Sequence, residues 1–519
     1  MIESTRSVRV LLVCPQTPDS YWGFSRSLPF INRKASIPPL SLITVAALMP
    51  QEWSFQLVDL NVERLKDKQI AKADVVLTSG MIVERESIQA IIERCNKLDK
   101  PVIVGGPFVS SDCGAKELEG ATALYVGEAE DQQVFGRLIN DIYEQTLQKV
   151  YQATEFPGLL HSPVPRFDLL RQKTYTSMAF QIVRGCPYKC EFCNVRMLYG
   201  TPRYKPAQKA IETLDAIYAT GHRGNVFIVD DNLIGNVRRA QEVLEEIVAW
   251  QTQHNFPFLF YTQVDVRLPQ KEKLLSLMKQ AGFFAVFVGY ETPSLEALKG
   301  ASKVQNLKSD PVEGARQMMD NGLMVYAGGI VGFDSDGPGI FKQMLEFINQ
   351  ARIVFPMVGM LSAIPGTELA RRKKATNQLV SDWDGNAIGS TNVIPDNLSR
   401  LELVRGYCWL QERLYDPVGY FDRAYEALKI WKKGVGRKMG WHEIMAVPKS
   451  ILWQGVWSRY RMTYWSFMIK TLRLDWKKIP RAFNLAISGH HLIGYTCEVV
   501  IPMLKKTEQE LSVQISTQL

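Results

Sequence analysis

The sequence predicts an α/β protein in three parts: an N-terminal doubly wound (Rossmann-like) domain, a central α/β partial barrel and a C-terminal, mostly helical region. Residues 8 to about 150 alternate short apolar strands with helical periodicity. The same alternation resumes at Ser177 and runs through six more strands. After about residue 375 the strands stop and a basic, Trp-rich helical stretch follows. A chain of 519 residues has room for three such parts. The expected boundaries are 1–150, a linker over 151–175, a barrel over 176–375 and the helical region over 376–519. With 46% hydrophobic and 22% charged residues, the composition excludes a disordered, collagen-like or low-complexity chain.

In the first part VRVLLVCP, SFQLVDL, ADVVLTSG, PVIVGGP and ALYVGEAE read as strands, with helical periodicity over Leu40–Leu48 and Ser87–Leu98. Strands that are apolar on both faces imply a buried parallel sheet, here of about five strands. Ligands of such sheets bind at the carboxyl ends of the strands, where this chain is rich in Gly. The apolar stretch Val8 to Cys14 has no small-residue cleavage site after it and reads as the first strand, not a signal peptide. No apolar run reaches the roughly 18–20 residues of a membrane span, and the expected compartment is the cytoplasm.

Residues 151–175 carry three prolines and no regular pattern, as a linker would. MAFQIVRG, GNVFIVDD, FLFYTQVD, AVFVGYET, LMVYAGGIVGF and MVGMLSAIPG then read as strands, separated by helices such as Ala207–Thr220 and Val237–Gln251. Six βα units suit a partial or full α/β barrel with its chemistry at the C-terminal strand ends.

Eight cysteines are too few for a disulfide scaffold. Cys14, Cys95, Cys113, Cys408 and Cys497 are scattered and read as ordinary buried thiols. Cys186, Cys190 and Cys193 fall within eight residues, in a loop after the first barrel strand. Three thiolates in one short loop can hold three corners of a 4Fe–4S cluster and leave the fourth iron open. Structural zinc normally takes four protein ligands, and the nearest downstream histidine is His222. Three structural cysteines or a degenerate zinc knuckle remain the alternative.

Cys186-Pro-Tyr-Lys-Cys190-Glu-Phe-Cys193 resembles the signature of the radical S-adenosylmethionine (SAM) superfamily. The resemblance implies a 4Fe–4S cluster on the three cysteines, whose open iron chelates SAM, and Phe192 beside the SAM adenine. Further along, Val229-Asp230-Asp231-Asn232 stands where the superfamily accepts hydrogen bonds from the SAM amino group, although its usual Gly-Gly-Glu is absent. Gly289-Tyr290-Glu291-Thr292 resembles the Gly-x-Glu-Ser strand end and makes Glu291 a SAM contact. Gly328-Gly329-Ile330-Val331-Gly332 matches Gly-x-Ile-x-Gly, with Ile330 against the adenine, and Pro365 belongs to a Pro-Gly-Thr strand end. Gln263 and Arg267 are further residues that could face the same pocket.

The strand ends of the first domain resemble the cobalamin-binding domain of one large radical SAM subfamily. In that resemblance Ser79, Gly80, Gly105, Gly106, Gly127 and Glu128 border the nucleotide tail of cobalamin. A flavodoxin-like domain that only packs on the barrel is the competing reading. Cobalamin domains with Asp-x-His-x-x-Gly supply an imidazole to cobalt. The histidines here are His161, His222, His254, His442, His490 and His491, so the first 160 residues contain none and the lower axial position is unassigned.

FIVDDNLIGN and FVGYETP are similar to hopanoid C-methylases and their unassigned relatives. That resemblance implies a cobalamin-dependent methyltransferase that abstracts hydrogen from an unactivated carbon of a lipidic or polycyclic small molecule. A one-electron donor such as flavodoxin or ferredoxin would be its partner. A radical SAM cyclase without methyl transfer and an inactive corrinoid- or SAM-binding module are the alternatives.

Net charge is +8, unevenly placed. Between Lys429 and Arg481 stand 13 Lys and Arg against Glu443 and Asp475, with six of the eleven tryptophans. This region reads first as a cap on the barrel with its tryptophans in the core. Its second reading is a peripheral surface for an anionic membrane. Nucleic-acid binding ranks a distant third.

Overall fold

The computed structural model describes residues 7–111, 118–153, 155–380, 385, 388–435, 437 and 440–518. In the first sheet, β1 (Arg9–Cys14), β2 (Ser54–Asp59), β3 (Val75–Ser79), β4 (Val102–Gly105), β5 (Ala123–Val126) and β6 (Val150–Gln152) are all parallel, in the order β2-β1-β3-β4-β5-β6. Alternate residues of β1 enter two different cores: Val10 and Leu12 meet Leu42, Phe135 and Leu138 on one face, Leu11 and Val13 meet Ile70, Ile88 and Ile92 on the other. Burial on both faces is why the strands read as continuous apolar runs. The sheet has six strands rather than about five. β6 is three residues long, too short for a periodic signal, and straddles the expected boundary at residue 150.

The second sheet follows, with a small antiparallel ribbon at its start. β7 (Ser177–Phe180) leads into β8 (Val183–Arg184), which pairs with β9 (Arg203–Tyr204). β10 (Asn225–Ile228), β11 (Leu259–Val264), β12 (Phe283–Glu291), β13 (Met324–Val331) and β14 (Phe355–Met360) lie side by side with β7 in chain order, all parallel. Sequential neighbours joined by helices make a partial barrel. Along β10, β11 and β13 fully buried residues alternate with half-buried ones. The half-buried set, including Phe227, Tyr261, Gln263, Tyr326, Gly328 and Ile330, lines the concave side. Residues 20–36 cross the open seam: Ala35 bridges to Tyr175 beside β7, and the Phe24 ring lies 6.5 Å from both Phe355 and Tyr326.

The C-terminal helices close the far side. Tyr407 donates to the Val358 carbonyl at 2.8 Å, Tyr415 donates to the Pro356 carbonyl, and Trp431 Nε1 donates to the Gly322 carbonyl at 3.0 Å. Asp416 caps the helix Pro417–Ile430 by accepting from Gly419 N at 3.0 Å. These contacts make the region a cap, but the tryptophans are not its core. Trp431 is buried and Trp453 half-buried, whereas Trp441, Trp457, Trp465 and Trp476 are exposed. Composition alone does not say which helix face carries them. Among the scattered cysteines Cys95 and Cys408 are buried, Cys14 is half-buried and Cys497 is exposed, contrary to expectation. Cys113 lies outside the described residues.

Candidate active site

The cysteine loop is held from four sides. Gly185, at φ 91°, turns the chain where an added Cβ would sit 2.7–2.9 Å from the carbonyls of Tyr199, Gly200 and Thr201. Only glycine accepts that approach in the left-handed region. Arg196 Nη1 donates to the Cys186 carbonyl at 3.1 Å. Glu191 N donates to the Ala301 carbonyl at 3.2 Å, and Leu369 N donates to the Glu191 carbonyl at 3.0 Å. The Glu191 carboxylate accepts from Arg372 at 2.8 Å. The loop is therefore positioned before any ligand arrives.

Its three thiols are free and half-buried, and they act on one another electrostatically. Burial raises all three, Cys193 to about 12. Among the described residues no three His, Cys, Asp or Glu groups converge as around a single metal ion. Three thiols in one loop can hold three irons of a cubane, whereas structural zinc normally takes four protein ligands, so this donor set fits a cluster better than mononuclear zinc. Lys303 is a cation that acts on all three thiols. It lies 2.5 Å from Glu291 Oε1 and 5.9 Å from the Phe192 ring centre, and its charge lowers the Cys190 and Cys193 thiols against the effect of burial. Gln305 Nε2 approaches Cys190 Sγ at 3.8 Å. Neither Lys303 nor Gln305 stands out in the sequence, because a lone Lys and Gln in a short turn form no motif.

The other SAM candidates divide. Phe192 and Ile330 pack on one small apolar cluster with Phe333, whose ring centre is 6.1 Å from that of Phe192. Gly328 faces the Phe287 ring, which an added Cβ would meet at 2.7 Å, and Gly332 at φ 96° makes room for Leu403. Pro365 is half-buried in the turn before the helix Glu368–Ala375. Glu291 ends β12 at φ 64° with its carboxylate on Lys303. Gln263 is half-buried on the concave side, whereas Arg267 is engaged by Asp265 at 2.8 Å, beside the Tyr188 ring.

Asp230 and Asp231 part company. Asp231 Oδ2 accepts from Gly185 N at 3.0 Å and faces a cavity. Asp230 is fully buried; its Oδ1 accepts from Ile182 N at 2.8 Å and Val183 N at 3.0 Å, and its Oδ2 has no partner. Burial pushes its carboxyl up to about 8 from an ordinary 3.8. A raised acid stabilises the fold below its unfolded value near 4, and that contribution is lost as pH rises through about 8. Wild-type protein should therefore lose melting temperature between about pH 5 and 8, with the decline levelling off above the folded value. Asp230→Asn keeps the acceptor and removes the charge, so this part of the decline, roughly a few degrees, should vanish in thermal melts. An unchanged pH profile in the variant would contradict the assignment.

The cavity lies between the strand ends of the two sheets, with a volume of about 370 Å³. Ser79, Gly105, Gly106, Gly127 and Glu128 line it from the first domain, and Arg184, Tyr199, Lys205 and Asp231 from the second. Gly80 is not among its lining residues; a Cβ there would meet Glu84 Oε2 at 2.7 Å, so this glycine serves the cap on Met81 N. Glu128 is held by Arg184 at 2.7 Å and by Arg203, and Glu130 by Arg184 at 2.8 Å. These buried pairs tie the first sheet to the ribbon that leads into the cysteine loop. Burial, with Arg184 adding to it, lowers the Lys205 amine to about 8.

The radical SAM superfamily model matches residues 180–348, and a domain of unknown function, DUF4070, matches 367–502. An uncharacterized methyltransferase of Synechocystis is 35% identical over 500 residues, 94% of this chain and 92% of that protein. The hopanoid C-2 methylase of Rhodopseudomonas palustris is 31% identical over 506 residues, 95% of this chain and 94% of that protein. The chain belongs to the radical SAM methyltransferases. As a member it is an enzyme whose domain carries a 4Fe–4S cluster and SAM. Its fold is that of the cobalamin-dependent members. OxsB with aqua-cobalamin and SAM bound aligns with TM-score 0.61 at 14% identity, over 98% of this chain and 81% of that chain. TsrM from Kitasatospora setae aligns with TM-score 0.57 at 16% identity, over 73% and 78%.

Proposed function

We propose that this radical SAM methyltransferase uses cobalamin to methylate an unactivated carbon of a lipidic or polycyclic, hopanoid-like substrate. The observation that carries the reading is the cavity of about 370 Å³ between the two sheets, whose wall includes Asp231, hydrogen-bonded to Gly185 next to the first cysteine. A corrinoid seated there would lie beside the cluster loop. Its nucleotide tail would enter where Gly105, Gly106 and Gly127 thin the strand ends, between Leu42, Leu77, Ile103 and Phe135. The bound cofactors supply one-electron cleavage of SAM and a methyl carrier. The chain's own residues do the rest: Cys186, Cys190 and Cys193 ligate iron, Phe192 and Ile330 wall the adenine, and Glu291 with Lys303 orients the amino-acid end of SAM. The buried pairs of Arg184 and Arg203 with Glu128 and Glu130 hold the two sides of the cavity in place. The 31% identical hopanoid C-2 methylase and the aromatic concave side of the barrel support the substrate class.

Anaerobic incubation with cluster, methylcobalamin, deuteromethyl-SAM, a one-electron donor and a bacterial lipid extract tests this. The expected product is a lipid carrying the deuterated methyl group. Deoxyadenosine release with a product of unchanged mass would favour the cyclase reading instead.

We also propose that residues 441–477 dock on an anionic membrane. Met462, Trp465, Ile469 and Leu472 repeat at helical spacing on one exposed face of the helix Arg461–Leu474. Trp457 and Trp476 flank it, 66% and 69% exposed. Arg459, Arg461, Arg473 and Lys477 are exposed beside the stripe and form no ion pair among the described residues. Lys432 and Arg437, by contrast, are engaged by Asp320 at 2.7 Å and Glu443 at 2.6 Å, and Lys438 lies outside the described residues. Trp at the edge of an apolar stripe with basic flanks is the pattern of an interfacial helix. No helix among the described residues is long and apolar enough to cross a membrane. Wild type should co-sediment with phosphatidylglycerol vesicles in a salt-sensitive way, at about 1 kcal/mol per basic residue near the surface. Met462→Ser with Trp465→Ser and Leu472→Ser should release it while SAM cleavage persists. Equal sedimentation with neutral and anionic vesicles would remove the electrostatic half of the proposal.

A further inference from the structure

The concave side of the second sheet is aromatic from base to mouth. Tyr261 stacks on Phe227 at 4.6 Å and meets Phe284 at 5.6 Å, and Tyr326 stacks on Phe355 at 4.3 Å. Trp22 closes on Phe287 at 5.0 Å from the seam segment. Tyr261 and Tyr326 are only half-buried, so accessible space, a lumen, remains on this concave side.

One cation enters this aromatic base. Arg481, near the start of the helix Ile479–Tyr495, places its guanidinium carbon 5.7 Å from the Phe284 ring centre and 5.5 Å from that of Trp431. Its Nε is buried without a partner, and its Nη1 reaches only Asn484 Oδ1 of the same helix, at 3.4 Å. It forms no ion pair among the described residues, and the ionisable groups that act on it are the phenols of Tyr326 and Tyr420. Other buried arginines are compensated: Arg184 by Glu128 and Glu130, Arg423 by the Ile353 and Leu414 carbonyls. Arg481 is half-buried, and the Phe284 ring that it approaches meets Tyr261 on the concave side.

A half-buried guanidinium whose Nε has no partner and which faces no anion is costly, and two ring faces offset only part of that cost. Its planar fork matches a carboxylate or phosphate bidentately. We propose that Arg481 binds an oxyanion, carboxylate or phosphate, at one end of the substrate, whose apolar body lies along the aromatic lumen. This rests on the lipidic-substrate reading above and narrows it. Phe284 is near the start of β12 and Glu291 at its end, so at roughly 3.3 Å per residue the anionic end and the reacting carbon are separated by about 20 Å.

Full-length, cluster-loaded protein is dialysed against dodecanoate, dodecyl phosphate and dodecanol below their micelle concentrations. A diazirine-bearing dodecanoate locates the bound chain by cross-linking. Wild type should bind at least one anion about tenfold more tightly than the alcohol, with cross-links to peptides holding Phe284, Tyr326 or Trp431. The tighter of the two anions identifies the group. Arg481→Gln should abolish that preference and leave alcohol binding unchanged, while Arg481→Lys keeps part of it. SAM binding, measured alongside, shows that each variant is folded. Alcohol bound in the lumen as tightly as both anions, or a preference that survives in Arg481→Gln, would overturn the Arg481 assignment and leave the lipid reading standing. If no probe binds or cross-links in the lumen, the Arg481 assignment falls, and the deuteromethyl-labelled lipid product decides separately whether the lipid reading stands.

Discussion

Replacing Cys186, Cys190 and Cys193 together by Ala is expected to abolish iron binding and reductive cleavage of SAM while leaving the fold intact. The magnitude follows from the chemistry: without thiolate ligands there is no cluster, and no His, Cys, Asp or Glu trio among the described residues converges to replace it. Anaerobically purified wild type should carry about four irons per chain and a broad brown absorbance; the triple variant should carry neither. Stability should change little, because the loop is anchored by groups other than the thiols. Glu191 is bound to Arg372 and to the backbone of Ala301 and Leu369, and Arg196 holds the Cys186 carbonyl. A triple variant that unfolds would show that the thiols themselves hold the loop. Stoichiometric zinc without iron in wild type would sink the cluster reading outright. Lys303→Met is a milder companion test. It removes the cation that favours the charged thiols and frees the Glu291 carboxylate, so iron retention and SAM affinity should both fall without reaching zero.

The cysteine triad could be read in the sequence because its chemistry is contiguous. Its supports could not. Lys303 is 110 residues beyond Cys193, and Arg184 reaches back more than 50 residues to Glu128 and Glu130. Long-range pairs of this kind leave no local pattern. The strand-end glycines were legible as a class but not one by one. Gly106 and Gly127 have positive φ and line the cavity, whereas Gly80 spares the Glu84 carboxylate away from it. Likewise Asp230 and Asp231 are indistinguishable as a doublet. Consecutive residues past a strand end point to different places, one into the backbone of residues 182–183 and one into the cavity. The first sheet was legible because strands buried on both faces read as continuous apolar runs, and the second because its strands recur between helical stretches at regular spacing. The strands that escaped, β6 and β9, have only three and two residues. In the tail, composition gave the basic and aromatic content, but helical phase decides that Tyr464 and Phe467 face inward and Met462, Trp465 and Ile469 outward.

Filling the interdomain cavity should remove cobalamin binding without unfolding the protein, and Gly105 is the position that allows it. Gly105 lines the cavity, and a Cβ there would stand 3.5 Å from the Tyr125 carbonyl oxygen, an ordinary contact. Its backbone is not in the left-handed region, so a larger residue is not strained. Gly106 and Gly127 are poor choices, since both have positive φ and their Cβ atoms would lie 2.4 Å from Ser79 Oγ and 2.8 Å from Ala153 Cβ. Gly105→Leu places a butyl group in a space of about 370 Å³ that the nucleotide tail would need. Hydroxocobalamin retained on gel filtration should fall from near stoichiometric in wild type to below about a tenth of it, a loss of at least about 1.4 kcal/mol of binding. Iron content and SAM binding should be unchanged, because the cysteine loop is held by separate contacts. Gly80→Ala serves as the contrast: it crowds Glu84, lowers stability, and leaves cobalamin bound. The electron paramagnetic resonance spectrum of bound cob(II)alamin adds a readout independent of turnover. No histidine is among the residues lining the cavity, so the signal should lack histidine nitrogen splitting. Retention of cobalamin by Gly105→Leu at wild-type levels would place the cofactor elsewhere. Failure of wild type to bind any cobalamin would return the first domain to a packing role, with Arg184, Arg203, Glu128 and Glu130 as its reason for being there.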